Sequence, residues 1–308
     1  MIHMPKHIMN VIAWRRPDFL RATLIRLAKA HRNGVYHRIN VDHEPDDRIF
    51  PVIRDFSEAV GSDSVEVIMR GPHHNQGPTR NIVHALHESL DYEADYIHSL
   101  EDDVFINHEY FLYHESGHFL APDAFSVTAY LPQPPAQTDA HNHIGFLRAY
   151  APTVAVSYRA DKLAHILAYM PLDYPDDMIG HNARTFPDHP CAPHEWAGID
   201  GTLGRVLHKI GGYTVYPMVN RAYHAGYISA PCAGEACGHS TTRDGINNGP
   251  HRHGSELEGT IEERALKLLA MKAEELNALS HEITRDYVWT DLDADYGPLT
   301  QLLPGVHD

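Results

Sequence analysis

Apolar and polar positions in the first hundred residues alternate between two periods. Residues 7–13 form a short apolar run; after Arg15-Arg16-Pro17-Asp18, Leu20, Leu24 and Leu27 recur at helical spacing, with Pro17 suited to a first turn. Residues 36–41 read as a second strand, ending in Asp42-His43-Glu44-Pro45-Asp46-Asp47, and 50–60 as a second helix. A third strand is expected over 65–69, then a turn over 71–78 and a helix in which Ile82, Leu86 and Leu90 are spaced at four. Residues 96–100 make a fourth strand, with Glu101-Asp102-Asp103 at its carboxyl end. Strands and helices alternating at this pace predict right-handed βαβ units and a mainly parallel sheet. Such sheets bind ligands beyond the carboxyl ends of their strands. Asp42 and the acidic triplet both fall there, so one rim is the expected site.

The second half is more varied. A strand is expected over 125–131, a proline-rich loop over 132–136, a strand over 154–158 and a helix over 160–169. Residues 171–193 read as an irregular loop rich in proline and aspartate, 203–210 as a helix closed by Gly211-Gly212, and 213–217 as a strand. Residues 229–259 are rich in Gly, His, Asn and Ser without periodicity, the mark of a lid or a disordered segment. Thr260 and Glu263 then form a capping box before a helix reaching about Leu279. Its stripe of Ile261, Ala265, Leu268, Leu269 and Leu276 suits docking on the same chain. The tail after Asp286 is expected to wrap over the main domain.

Composition narrows the function. The 308 residues, 43% of them hydrophobic, suffice for one large α/β domain or two small ones. A formal net charge of −16 sets the chain as a whole against polyanions such as nucleic acid or anionic membrane surfaces. Three cysteines are too few for a disulfide framework and suit a reducing cytoplasm. No apolar stretch reaches the length of a signal peptide or membrane span, so a cytoplasmic protein with no membrane partner is expected. The 26 histidines are scattered, and most read as surface or packing residues. Cys191, Cys232, Cys237 and His239 lack C-x-x-C spacing and read as incidental rather than as a zinc site. His251-Arg252-His253 reads as a solvated loop.

Three adjacent carboxylates after a buried strand are costly unless a cation neutralises them, and Mg²⁺ or Mn²⁺ would do so while binding a diphosphate. An isolated acidic triplet is more often a solvated turn; here its neighbours change the reading. Trp14-Arg15-Arg16-Pro17-Asp18-Phe19-Leu20, Asp42, and Asn75-Gln76-Gly77-Pro78-Thr79-Arg80-Asn81 precede it in an order that resembles the GT-A glycosyltransferases. Its EDD form is similar to the metal motif of N-acetylglucosaminyltransferase I-like and family 2-like enzymes more than to the commoner DxD. Tyr158-Arg159-Ala160-Asp161 resembles the step into the acceptor side. Glu195-Trp196-Ala197-Gly198-Ile199-Asp200 with Leu203, Arg205 and Gly212-Tyr213 resembles the family's ED-x-x-L-x-x-R block, with Ile199-Asp200 in place of Glu-Asp and one extra residue before Gly-Tyr. The segment 217–226 resembles the one where some of these families place a histidine on the metal.

The resemblance, over roughly residues 7–226, implies a GT-A fold: α/β, Rossmann-like, a mainly parallel central sheet with flanking helices, plus a C-terminal helical and loop extension. It implies a catalytic domain over 1–228, with a nucleotide-binding half 1–110 and an acceptor half 111–228, and an extension over 229–308. The implied activity is transfer of a hexose or pentose from a nucleotide-diphosphate sugar, UDP favoured, to an acceptor hydroxyl with Mn²⁺ or Mg²⁺. Asp103 and His224 would be metal ligands. Arg15, Arg16, Asp42, Asn75, Arg80, Asn81, Glu101 and Asp102 would bind the donor. Asp200, with Glu195 in reserve, would be the base if the reaction inverts; retention stays open. The bland reading of Asp200 is a helix N-cap. A polysaccharide, a protein, a small molecule or a modified DNA base would each offer the hydroxyl. Two other readings stand beside this one: nucleotidyl transfer to a sugar phosphate, for which the Gly-rich loop after the first strand is missing, and a non-catalytic metal- or sugar-binding protein.

Overall fold

The computed structural model describes residues 6–43, 45–71, 76–130, 145–148, 153–217, 221–224 and 295–298. The expected first half forms nearly residue for residue. β1 (His7–Ala13) is buried along its whole length. α1 (Pro17–Ala30) follows, with Pro17 in its first turn and Leu20, Leu24 and Leu27 turned inward. β2 (Val35–Val41), α2 (Ile49–Val60), β3 (Val65–Met69), α3 (Gly77–Ser89) and β4 (Tyr96–Glu101) complete it. After the acidic triplet come β5 (Val104–Ile106), α4 (Tyr110–Leu120), β6 (Ser126–Thr128), β7 (Gly145–Arg148), β8 (Val156–Arg159) and α5 (Ala160–Leu167). Then follow α6 (Met178–Thr185), α7 (Ile199–Ile210), β9 (Thr214–Pro217), β10 (Ala222–His224) and β11 (Asp295–Pro298).

One sheet has the order β11-β7-β9-β6-β8-β4-β1-β2-β3, and β5 and β10 form a separate antiparallel pair. β1 is parallel to both β2 and β4, and β2 to β3. Tracing the remaining pairings, only β7 and β8 run against the others. This is the mixed, mostly parallel sheet with flanking helices that the sequence predicts. Alternation along β1 sends Met9, Val11 and Ala13 into a core shared with α1, α2 and α4, and Ile8 and Ile12 into a second core with α3, α5 and α7. Each buried leucine in α1 contributes about 1.5–3 kcal/mol by leaving water.

α3 is also tied to the sheet by charge. Arg38 and Arg70, both buried, share the Glu88 carboxylate. Arg38 further donates to Asn10 Oδ1 at 3.3 Å, and Arg70 to Asn40 Oδ1 at 2.6 Å. Buried guanidiniums persist only with partners of this kind.

Three expectations need correction. The loop over 171–193 contains α6, whose N-cap Asp177 accepts a hydrogen bond from the Gly180 N–H at 2.9 Å. α7 begins at Ile199, a turn earlier than its leucine spacing suggests. α4 was not foreseen at all, because its buried face is Tyr110, Phe111, Tyr113, His114, Gly117 and His118 while Leu112 and Phe119 point to solvent. Gly117 is needed there, since a Cβ would lie 2.8 Å from Val127 Cγ1. The lid or disordered segment 229–259 and the helix over 260–279 lie outside the described residues. Among the described residues no helix is long and apolar enough to cross a membrane.

Candidate active site

At the carboxyl end of β4 the chain turns sharply and re-enters as β5. The Asp102 N–H donates to Ile12 O at 2.9 Å, and the Thr23 hydroxyl donates to Asp102 O at 2.7 Å, so the turn is clamped between β1 and α1. Asp102 and Asp103 are almost wholly buried, and Glu101 is partly exposed. The buried carboxylates meet Arg16, which precedes α1 as its N-cap. One nitrogen of the fork reaches Asp103 Oδ2 at 2.6 Å and the other pairs with Asp102 Oδ1. Asp102 Oδ2 accepts the Trp14 N–H at 3.3 Å. Burial works against the Arg16 charge, but Asp102, Asp103 and Glu101 outweigh it and raise its pKa. Burial likewise raises the Asp102 carboxyl, against the pull of Arg16.

The register of the small sheet sets His224 opposite Val104, one residue beyond Asp103. The separate motifs around 103 and 224 therefore meet along the backbone, although 120 residues of sequence lie between them. Asp200 belongs to the same rim: it accepts the Thr153 N–H at 2.9 Å, and Thr153 leads into β8, which starts beside Ser99 at the carboxyl end of β4. Its bland reading does not hold, because the N-cap of α7 is Gly198 and Asp200 lies inside the first turn. Burial, with the Asp200 charge behind it, raises the neighbouring phenols of Tyr158 and Tyr174, the latter to about 12.

The other expected donor residues are spread along the rim in different states. Asp42 is buried and spends its carboxylate on backbone, accepting from the N–H groups of His43 at 2.7 Å, Gln76 at 3.0 Å and Gly77 at 2.9 Å. It thereby anchors the start of α3. Arg80 pairs with Asp176, just before α6. Asn81 donates to Asn40 O at 3.1 Å, and its buried Oδ1 has no partner among the described residues. The Arg15 guanidinium lies 4.7 Å from the Trp14 ring. Asn75 and the His224 side chain lie outside the described residues.

Glu195 is exposed, and its Oε2 accepts the Ala192 N–H at 3.0 Å, closing the turn before α7. That turn depends on a residue no local sequence pattern announces. Arg205, 2% exposed, donates to the carbonyls of Ala192 and Glu195 at 2.8 Å each, Gly201 at 3.0 Å and Trp196 at 3.3 Å. Gly201 has to be glycine, since a Cβ would fall 1.7 Å from Trp196 O. Arg205 and Gly201 thus shape the loop carrying Glu195 and exposed Trp196 and leading into Asp200.

Among the described residues no group of three or more His, Cys, Asp or Glu side chains is arranged to hold a metal by itself. The donor chemistry of the triplet nevertheless suits a divalent ion, since three hard carboxylates, Glu101, Asp102 and Asp103, act together on the Arg16 guanidinium. A cleft of about 160 Å³ between α1 and α2, lined by Leu24, Ile25, Val52 and Phe56, lies in the outer helical layer away from this rim.

No protein-family model matches the sequence, and no curated protein does. The chain is similar to several solved structures, some of them in complex with a nucleotide or nucleotide sugar. They include TarS 1–349 of S. aureus in complex with UDP-GlcNAc, at 12% identity and a TM-score of 0.45, covering 90% of this chain and 71% of that one. The same protein in complex with UDP matches at 13% and 0.39, covering 56% and 53%. The mannosyltransferase PcManGT from Pyrobaculum calidifontis, in complex with GDP-Man and Mn²⁺, matches at 11% and 0.41, covering 92% and 74%. In the match to TarS with UDP, the chain thus spans about half of that protein's length.

Proposed function

We propose that the chain is a divalent-cation-dependent glycosyltransferase that moves a sugar from a nucleotide-diphosphate donor, UDP favoured, to an acceptor hydroxyl with inversion. The observation that supports this reading is the gathering of Glu101, Asp102 and Asp103 around the Arg16 guanidinium at the carboxyl rim of the sheet. A bound Mn²⁺ or Mg²⁺ supplies the positive charge that offsets what accumulates on the diphosphate as the sugar leaves. Asp103 would hold the cation, with His224 as second ligand. Glu101, the partly exposed member of the triplet, faces the donor sugar or ribose in this reading, while Asp102 keeps the Trp14–Arg16 turn in position. Arg15, Arg16 and Arg80 supply positive charge for the donor, and Asn81 a buried acceptor. Asp200 takes the proton of the attacking hydroxyl; Thr153 and the first turn of α7 orient its carboxylate.

Donor turnover assayed with and without Mn²⁺ tests the proposal. Sugar transfer or slow donor hydrolysis that needs the cation is expected. Release of pyrophosphate from an NTP and a sugar phosphate would identify nucleotidyl transfer instead, and absence of any turnover would leave a binding protein. In the same assay Asp200→Asn keeps an acceptor for Thr153 N–H but loses the base. It is expected to lower kcat by about 10²–10⁴-fold with the donor KM nearly unchanged. Equal loss of donor binding and transfer would reduce Asp200 to an anchor for Thr153.

A further inference from the structure

Among the described residues, two that are not glycine take a left-handed backbone: Trp196, with φ of 50°, and Ala155, with φ of 49°. Both flank Asp200. Ala155 lies two residues after Thr153, whose N–H Asp200 accepts, and Trp196 lies four residues before Asp200 on the loop into α7. A left-handed backbone is costly for any residue with a side chain, and most of all for a bulky one, so it persists only where the surroundings impose it. Around Trp196 they do. The buried Arg205 guanidinium holds the carbonyls of Ala192, Glu195, Trp196 and Gly201, and the Tyr174 hydroxyl donates to Ala197 O at 3.3 Å. A fold that needed only a tight turn here would be served by glycine, which takes this φ without strain. Instead the scaffold presents a tryptophan that is 54% exposed.

We infer that the acceptor is a carbohydrate and that Trp196 is the platform on which one of its rings stacks, with a hydroxyl turned towards Asp200. The inference rests on the glycosyltransferase reading for the role of Asp200. The face of an indole ring is negative and attracts the weakly positive C–H bonds that a sugar ring shows on its flat side. Hydroxyls on the rim of the same ring donate to carboxylates, which accept only. The loop supplies those as well, since exposed Glu195 directly precedes Trp196 and Asp200 follows it by one helical turn. The same carboxylates, on a chain with a net charge of −16, oppose a phosphate-rich acceptor such as DNA. Trp196 is on this account a substrate-binding residue, and Arg205 and Tyr174 are the positioning residues beneath it.

The test is binding without turnover. The full chain, with UDP and Mn²⁺ but no sugar donor, is applied to an array of immobilised oligosaccharides that also carries serine- and threonine-containing peptides and hydroxymethylated DNA. The oligosaccharides that bind are then titrated in solution, with tryptophan fluorescence as the readout. A subset of oligosaccharides is expected to bind, and the peptides and DNA are not. Trp196→Ala should weaken that binding at least about tenfold, the scale of stacking on an aromatic ring, and Trp196→Phe should fall between. Trp196→Gly should lose binding as Trp196→Ala does, yet melt within about 3 °C of the unsubstituted protein, because glycine accepts the left-handed backbone. A tryptophan that merely held the loop would lower the melting temperature together with the binding, and that outcome overturns the inference. So does a Trp196→Ala protein that binds the oligosaccharides as tightly as the unsubstituted one, or an array on which only peptide or DNA is bound, or nothing. Cation-dependent donor turnover, measured separately, decides the underlying reading. Oligosaccharide binding through Trp196 in a protein that turns over no donor would keep this site and remove the glycosyltransferase, and turnover with no oligosaccharide bound would do the reverse.

Discussion

Lowering the pH from 8 towards 4.5 is expected to unfold the protein cooperatively, with a midpoint between about pH 6 and 4.5. The cause is a set of histidines buried as neutral rings at the end of the sheet opposite the candidate site and on the α2 side. His7 shares a hydrogen bond of 3.0 Å with His98 and meets Glu115 at 2.8 Å, with Arg32 paired to the same carboxylate. His114 and His118 flank the Ser157 hydroxyl at 2.5 and 2.9 Å, and His37 packs on His31 and Phe56. Burial, assisted by Arg32 for His7, His31 for His37 and Arg159 for His118, pushes these three down to about 3. His98 and His114 are lowered well below their ordinary value, first by burial and then by neighbouring histidines.

The sign follows from linkage. Folded values are depressed, so below the unfolded value of about 6.5 the unfolded chain binds more protons, and stability present above that pH drains away as pH falls towards the folded values. Each ring contributes about 1.4 kcal/mol per pH unit, and five together about 7, against a total stability of about 5–15 kcal/mol. Circular dichroism and tryptophan fluorescence against pH measure this. Replacing His114 with Phe should shift the midpoint to lower pH, and a protein still folded at pH 4 would contradict the account.

Asp103→Ala is expected to lower donor turnover by at least about a hundredfold, because the cation's effect on the leaving diphosphate goes with its ligand. The protein should remain folded. Arg16 keeps Asp102 as partner and stays partly exposed, so the loss in stability is about 1–3 kcal/mol rather than that of an orphaned buried charge. Turnover near that of the unsubstituted protein, with an unchanged melting curve, would remove Asp103 from the site.

The first half was legible because its elements obey simple periods. Leu20, Leu24 and Leu27 repeat at helical spacing, β1 is apolar except for His7 and Asn10, and Gly and Pro punctuate the turns. Strand order alone places Asp42 and the Glu101–Asp103 triplet at one end of the sheet; Asp200 is pointed to only by resemblance and joins that end through its hydrogen bond to Thr153. α4 was hidden because tyrosine, histidine and glycine fill its inner face, a pattern that apolar periodicity does not register. The histidine cluster was hidden for a related reason: scattered histidines read as surface or packing residues without saying which, until β1, β4, α4 and β8 bring His7, His98, His114, His118 and Ser157 together. The pairing of Arg16 with Asp102 and Asp103 spans 86 and 87 positions, and no local spacing announces it. Likewise Asp42 could be read as a donor contact from its place after β2, but only the folded chain reveals three backbone N–H groups turned on its carboxylate.

The central claim is that a divalent ion and a nucleotide diphosphate bind at the carboxyl rim beside Asp103. A crystal structure of the protein with UDP and Mn²⁺, with the ion located by its anomalous scattering, tests it most directly. The account predicts the ion within coordination distance of an Asp103 oxygen and the diphosphate against the Arg16 guanidinium. Manganese and nucleotide bound away from Asp103 would contradict it.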